Sequence, residues 1–293
     1  SAFFVVAANG FMNTPTGFRL VSGRVVAVHP WAALFNTSLW PEATHMILAA
    51  FIVTGYLVAM PHALALLRGS RDRYRRIGFL IPFVVASAVV PLQIVAGDWA
   101  ARHVAVHQPV KLAAMEGLAR TERGAPIHIG GVYVDGHVRF GIEIPKGLSF
   151  LAFHHADAVV TGLESVPPAD RPPVNVVRFA FQIMVAIGTS MLGLGLWLLL
   201  AWRRRRDLPR SRWFYRWALV AGPAAVVALE AGWVTTEVGR QPWIVYGVMR
   251  TRDAVSTASG LRYGYFLLLA IYAALTAASL YVLRHLAPEA NER

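Results

Sequence analysis

Five stretches of the chain run for twenty residues or more with scarcely a charge: Ala43 to Leu67, Ile77 to Ala100, Val174 to Trp202, Trp213 to Thr236 and Tyr263 to Leu283. A hydrocarbon layer of about 30 Å takes roughly 20 residues of helix to cross, so each stretch is long enough to span a bilayer. That layer holds no water, and a lone segment satisfies its own amides only as a helix. Barrel strands would be shorter and would alternate polar with apolar positions. Apolar residues up to Ala8 read as the tail of a sixth span. The predicted fold is therefore all-α, a polytopic transmembrane helical bundle. The chain opens at Ser1 inside that apolar tail, without an initiator Met or a basic flank, and is expected to be N-terminally truncated and not to carry a signal peptide.

The polar connections order these spans. Between the first two lie Arg68, Arg71, Arg73, Arg75 and Arg76, and between the third and fourth lie Arg203 to Arg206, Arg210, Arg212 and Arg216. Short loops rich in arginine stay on the cytoplasmic side. The segment from about Arg102 to Pro173 carries seven basic and seven acidic residues and is expected outside. It is too long for an ordinary connection, which marks it as functional or disordered. Six of the ten histidines fall in it (His103, His107, His128, His137, His154 and His155), with a hairpin pattern turning at Asp135-Gly136. Helix count puts Gly239 to Arg262 on that same side despite Arg240, Arg250, Arg252 and Arg262, which calls for anionic partners or lipid headgroups there. Three parts result. Residues 1–101 hold the remnant span, a turn and two full spans; 102–173 form the long outer loop; 174–293 hold three spans.

Composition agrees and narrows the partners. Of 293 residues, 56% are hydrophobic and 15% charged, with a mean hydropathy of +0.48, whereas a soluble domain carries about a quarter charged residues. The net charge of +12 would suggest nucleic acid, but the arginines sit in the two short loops and set topology, so nucleic acid is excluded as a partner. The absence of cysteine excludes disulfides, thiolate metal sites, iron–sulfur clusters and thiol catalysis. Any metal must be held by His, Met or carboxylate.

Ionisable groups in spans are costly and become candidates by default. His45 lies one turn into the first full span, Asp98 ends the second, Gln182 and Met184 lie in the third, Glu230 and Glu237 in the fourth. Given the orientation, His45, Asp98, Met184 and Glu237 gather toward the outer side. Each also has a structural reading: a histidine bonded to a carbonyl, a methionine filling the core, or a Glu237–Arg240 pair on one helix face. Asp98 and Glu230 stay open between structural and proton-relay roles. The residues alone support an outer-side redox or transport site.

Four motifs sharpen this. Gly232-Trp233 through Glu237 to Gly239-Arg240-Gln241-Pro242-Trp243 resembles the Gly-Arg-Gln-Pro-Trp signature of the large subunit (subunit I) of cytochrome bd-type quinol oxidases. Gln108-Pro-Val-Lys111-Leu-Ala-Ala-Met-Glu116 resembles the start of that family's quinol-binding loop. Thr44-His45-Met46 and Gln182-Ile-Met184-Val are similar to its low-spin haem helices, and all four occur in family order. The resemblance implies His45 and Met184 as axial ligands of a low-spin haem b, Glu237 as ligand of a high-spin haem b, and a third haem, d or b, whose ligand lies ahead of this chain. Six-coordination by imidazole and thioether suits an electron-transfer iron. Trp233 and Arg240 would contact the haems, and Gln182 stands where family members carry arginine, so it would offer a hydrogen bond but no charge. Gln108, Lys111 and Glu116 would form the quinol site in a loop of the short type. The implied activity is a quinol:oxygen oxidoreductase of the bacterial cytoplasmic membrane. Quinol would be oxidised on the outer side and oxygen reduced to water, generating a proton motive force, although this fragment alone is expected to be inactive. The implied partners are a second large membrane subunit and small single-helix subunits. The competing class is an ion or proton transporter built on His45, Glu237 and Arg240.

Overall fold

The computed structural model describes residues 2–70 and 72–289, which leaves Arg71 of the first basic loop outside the described residues. The chain divides into two compact units, one ending at Asp253 and one beginning at Ala254. In the first, helix α1 (Ala2–Asn13) leads to a small ribbon of β1 (Arg19–Val21) and β2 (Arg24–Val26) and a short α2 (Pro30–Leu34). Helices α3 (Leu39–Leu67) and α4 (Arg73–His107) follow, then α5 (Pro109–Glu116). The loop continues through β3 (Glu122–Arg123), β4 (Ile127–Val134), β5 (His137–Ile144), α6 (Gly147–Phe153) and β6 (Val159–Val160). Helices α7 (Val174–Arg205) and α8 (Arg212–Val238) and the ribbon of β7 (Trp243–Val245) with β8 (Met249–Arg250) complete this unit. The second unit holds α9 (Leu261–Glu289), of which Leu261–Val282 is long and apolar enough to cross a membrane.

All five expected spans are helices, and each overruns the apolar stretch that announced it. Helix α4 is 35 residues long, about 50 Å at 1.5 Å per residue, against a hydrocarbon layer of about 30 Å. Hydropathy marks the part in lipid, whereas caps set the ends. Asp72 accepts a hydrogen bond from the Arg75 amide at 2.8 Å to open α4. Pro109 forces Gln108 out of helical geometry, to φ −138° and ψ 61°, and itself starts α5. Gly117, at φ +69°, closes α5 in the left-handed conformation. Two of the six loop histidines, His103 and His107, therefore stand on the last turn of α4.

Helices α3, α4, α7 and α8 form a four-membered ring in which α3 packs on α4 and α8, and α7 on α4 and α8. The half nearer the arginine loops is tightly filled. Tyr56, Phe79, Phe83, Phe214 and Tyr215 are fully buried, with Tyr56 edge-on to Phe83 at 5.3 Å. Arg76 and Asp207 tie the two basic loops together. This apolar core ends at Ile52, Val90, Met191 and Ala225. The other half of the ring, capped by α1, α5 and the loop, carries the polar groups.

Candidate functional site

Seven polar side chains from four parts of the sequence meet at that end. Asn9 and Asn13 lie four residues apart on one face of α1, where the Asn13 amide donates to Asn9 Oδ1 at 2.8 Å and to Glu42 Oε1 of α3 at 2.7 Å. Asn9 in turn donates to Glu237 at the end of α8. The Asn13 Oδ1 atom accepts from Gln108 Nε2 at 3.1 Å, Lys111 Nζ at 3.3 Å and an Arg240 nitrogen at 2.9 Å. Arg240 also pairs with Glu237 at 2.5 Å. Asn13, Gln108, Lys111 and Arg240 are each no more than 4% exposed. Two cations and two carboxylates thus balance around one neutral amide, as burial requires. Burial pushes the Lys111 ammonium down from its ordinary 10.5 to about 7, against the pull of Glu42 and Glu237. Gly239 lets the lysine pass: a Cβ there would lie 2.9 Å from Lys111 Cγ and 2.4 Å from the Thr235 carbonyl.

Lys111 and Glu116 share α5 but face different groups. Glu116, 4% exposed, lies beside Arg178 of α7, and burial raises its carboxyl from 4.5 to about 7 although that guanidinium opposes the rise. Arg178 is fully buried and donates to the carbonyls of Glu116 at 2.7 Å, His128 at 3.0 Å and Gly130. Gln182, one turn further along α7, accepts from the Gly130 amide at 2.8 Å and donates to the His128 carbonyl at 2.9 Å. Both ends of its amide hold the β4–β5 hairpin. On the far side of the cluster, Thr14, Ser38 and His103 are linked at 2.6 and 2.8 Å, and the His103 ring stacks on His107 at 3.9 Å.

Just above the point where the apolar core ends, two glycines flank the expected haem ligands. A Cβ on Gly97 of α4 would lie 3.3 Å from His45 Cε1, and one on Gly232 of α8 would lie 3.2 Å from Met184 Sδ. His45 Nε2 is 3.1 Å from the Gln93 amide nitrogen, while its Nδ1 is buried without a hydrogen-bond partner. His45 and Met184 stand on α3 and α7, which are diagonal in the ring. Among the described residues, no three His, Cys, Asp or Glu side chains gather to hold a metal ion. An iron taken here by one imidazole and one thioether would need its remaining donors from a macrocycle, and these residues fit one. Trp233 adjoins Gly232 and lies one turn before Glu237.

Of the open residues, Asp98 is paired with Arg102 at 2.8 Å, whereas Glu230 is exposed on α8. Three of the four arginines after Gly239 have anionic partners: Arg240 in Glu237, Arg250 in Asp170 at 2.7 Å and Arg252 in Asp253 at 3.5 Å, whereas Arg262 donates to the Tyr263 hydroxyl. Sequence reasoning passed over Asn9, Asn13, Glu42, Gln93 and Arg178. Arg178 carried a signal, as a charge inside a span, by the same rule that singled out Gln182. The neutral amides carried none.

The sequence matches the family described as cytochrome bd terminal oxidase subunit I over residues 1–291. It is 34% identical, over 97% of its length, to a protein of Bacillus subtilis (strain 168) that bears the provisional name cytochrome bd menaquinol oxidase subunit I, and covers 65% of that protein. It is 30% identical to cytochrome bd ubiquinol oxidase subunit 1 of the same organism, over 87% of this chain and 57% of the relative. The solved bd oxidase from Geobacillus thermodenitrificans superposes with a TM-score of 0.84 at 33% identity, covering 97% of this chain and 66% of that one. The chain thus spans about two thirds or less of the length of these relatives. On a family match that runs almost end to end, joined to this likeness in fold, the chain belongs to the cytochrome bd terminal oxidase subunit I family.

Proposed function

We propose that this chain is the quinol-oxidising, haem-carrying part of a terminal oxidase that reduces oxygen to water and generates a proton motive force across the bacterial cytoplasmic membrane. The observation that carries the reading is the pair of glycine-flanked ligands, His45 and Met184, set where the packed core stops and beside the buried cluster around Lys111. His45 and Met184 would hold a low-spin haem b and Glu237 a high-spin haem b, with Trp233 between them. A third haem, d or b, would be the oxygen-reducing one. When bound, these groups would carry the electrons of quinol one at a time and deliver them to oxygen.

The chain's own residues supply binding and proton handling. Gln108 and Lys111 present donors from the α4–α5 junction, and Glu116 offers a carboxyl that titrates near neutrality, a value suited to taking the proton of a quinol hydroxyl. Arg240 holds the Glu237 carboxylate and would balance the charge of a haem propionate. The arginine loops lie inside, so this end of the bundle faces out and quinol protons leave on that side. A second large membrane subunit completes the complex, with small single-helix subunits beside it.

Reduced-minus-oxidised spectra and pyridine haemochrome analysis of the purified complex test the assignment. Low-spin haem bands are expected, and their loss in both His45→Ala and Met184→Leu. A colourless preparation that still moves ions would favour a transporter and end this reading. In steady-state assays, Lys111→Ala and Glu116→Ala should alter the quinol KM or kcat. Unchanged values in both would remove them from the quinol site.

A further inference from the structure

The hairpin of β4 and β5 has two unlike faces. One lies on α7: the Tyr133 amide donates to Asn175 Oδ1 and the Asn175 amide to the Tyr133 carbonyl, each at 2.9 Å, while Arg178 and Gln182 hold His128 and Gly130. Strand β4 therefore runs down the first turns of α7, with Tyr133 level with Asn175 and Gly130 level with Gln182. The seven residues between Asn175 and Gln182 correspond to about 10 Å along the helix. The other face is bare and apolar. Ile129 and Ile142, directly opposite one another, are 55% and 69% exposed, and Phe140 is 96% exposed at φ +61°.

The depth of this face follows from α7. Counting roughly 20 residues back from Trp202, the last apolar residue before the arginines, reaches Ile183, so the level of Gln182 is the edge of the hydrocarbon. Around that level α7 itself exposes Val176, Phe179 and Ile183. The hairpin is graded the same way: its base carries Ile129 and Ile142, Arg139 stands about 10 Å further along the strands, and the tip with Asp135 and His137 about 15 to 20 Å further. The charged groups near the base, His128 and Glu143, pair with each other on the alternate face.

We propose that the β4–β5 hairpin is a membrane-interface element whose Ile129, Phe140 and Ile142 face sinks into the adjoining lipid leaflet, continuous with the lipid-facing side of α7. A bare apolar face at the height where acyl chains begin is stabilised by burial in them, and the polar tip stays among headgroups and water. The inference rests on α7 crossing the membrane and is independent of the quinol assignment.

These 293 residues hold no cysteine, and any thiols elsewhere in the purified complex are first replaced by serine so that single introduced thiols report cleanly. The full-length protein, with the subunits that purify with it, is reconstituted in nanodiscs of phosphatidylcholine and phosphatidylglycerol. Spin labels are placed at Phe140→Cys, Ile142→Cys and His137→Cys, all exposed positions, and power saturation is compared with oxygen and with a water-soluble nickel chelate. The ratio of oxygen to nickel accessibility is expected to be several-fold higher at 140 and 142 than at 137. Equal, nickel-dominated accessibility at all three would overturn the proposal by placing the hairpin in water. Labels at 140 and 142 shielded from both reagents would overturn it by showing a protein subunit over this face.

Discussion

Asn13 gathers Gln108, Lys111 and Arg240 on one oxygen and returns its own protons to Asn9 and Glu42. A nearly isosteric Asn13→Leu would leave two buried cations short of a partner, and thermal unfolding of the purified protein is expected to show a loss of about 3 kcal/mol. At Gly232 a side chain would meet the Met184 sulfur, whereas Gly188 on α7 has open space. On the proposed assignment of Met184 as a haem ligand, Gly232→Val should therefore abolish the low-spin haem bands that Gly188→Val preserves. Proton linkage separates the two ends of α5. Glu116 titrates at about 7 when folded and 4.5 when not, so it binds its proton more tightly in the native state. Its contribution is whole below pH 4.5 and lost as pH rises through 7, a span worth roughly 3 kcal/mol for a fully buried group. Lys111 runs the other way, its folded value lying below 10.5, so its contribution is present above 10.5 and lost as pH falls through 7. Melting temperatures across pH should flatten on the acid side in Glu116→Gln and on the alkaline side in Lys111→Met. Glu42 and Arg178 aside, the charged members of the site (Lys111, Glu116, Glu237 and Arg240) were legible because charge beside an apolar run is rare. Asn9 and Asn13 were not, because a neutral amide near the end of such a run barely moves its hydropathy.

Among the elements, the spans were legible from length alone, and the hairpin from an Asp135-Gly136 turn between two alternating runs. Their attachment was not. Nothing in the order of residues says that Asn175, Arg178 and Gln182, at spacings of three and four, form one face of α7 that grips a strand lying 42 to 54 residues earlier. The grip can be measured one amide at a time. Asn175→Ala removes the acceptor of the Tyr133 amide, and hydrogen exchange there is expected to speed up about fivefold, for a hydrogen bond of roughly 1 kcal/mol, while the Gly130 amide, held by Gln182, changes less. Equal acceleration at both would mean that the hairpin comes off as a unit.

At the scale of the whole bundle, the two ends are closed by different chemistry. The arginine end is closed by an aromatic core and the Arg76–Asp207 pair, and the opposite end by charges and amides. Thiol labelling checks the proposed orientation: an Arg204→Cys variant should react from the cytoplasmic side of sealed vesicles, and His137→Cys from the other.

The amide hub also sets a timetable for assembly. Asn13 and Arg240, which share a hydrogen bond, are 227 residues apart in the chain. At a synthesis rate of roughly 5 to 20 residues per second, α1 waits on the order of 10 to 45 s for the arginine that completes its polar face. For most of that interval the two asparagines and Glu42 have no finished site, and until α7 and α8 are made the His45 side of α3 lacks half of the ring. A haem held as proposed by His45 and Met184 would therefore have its most open approach early in that wait, before α7 and α8 close the ring.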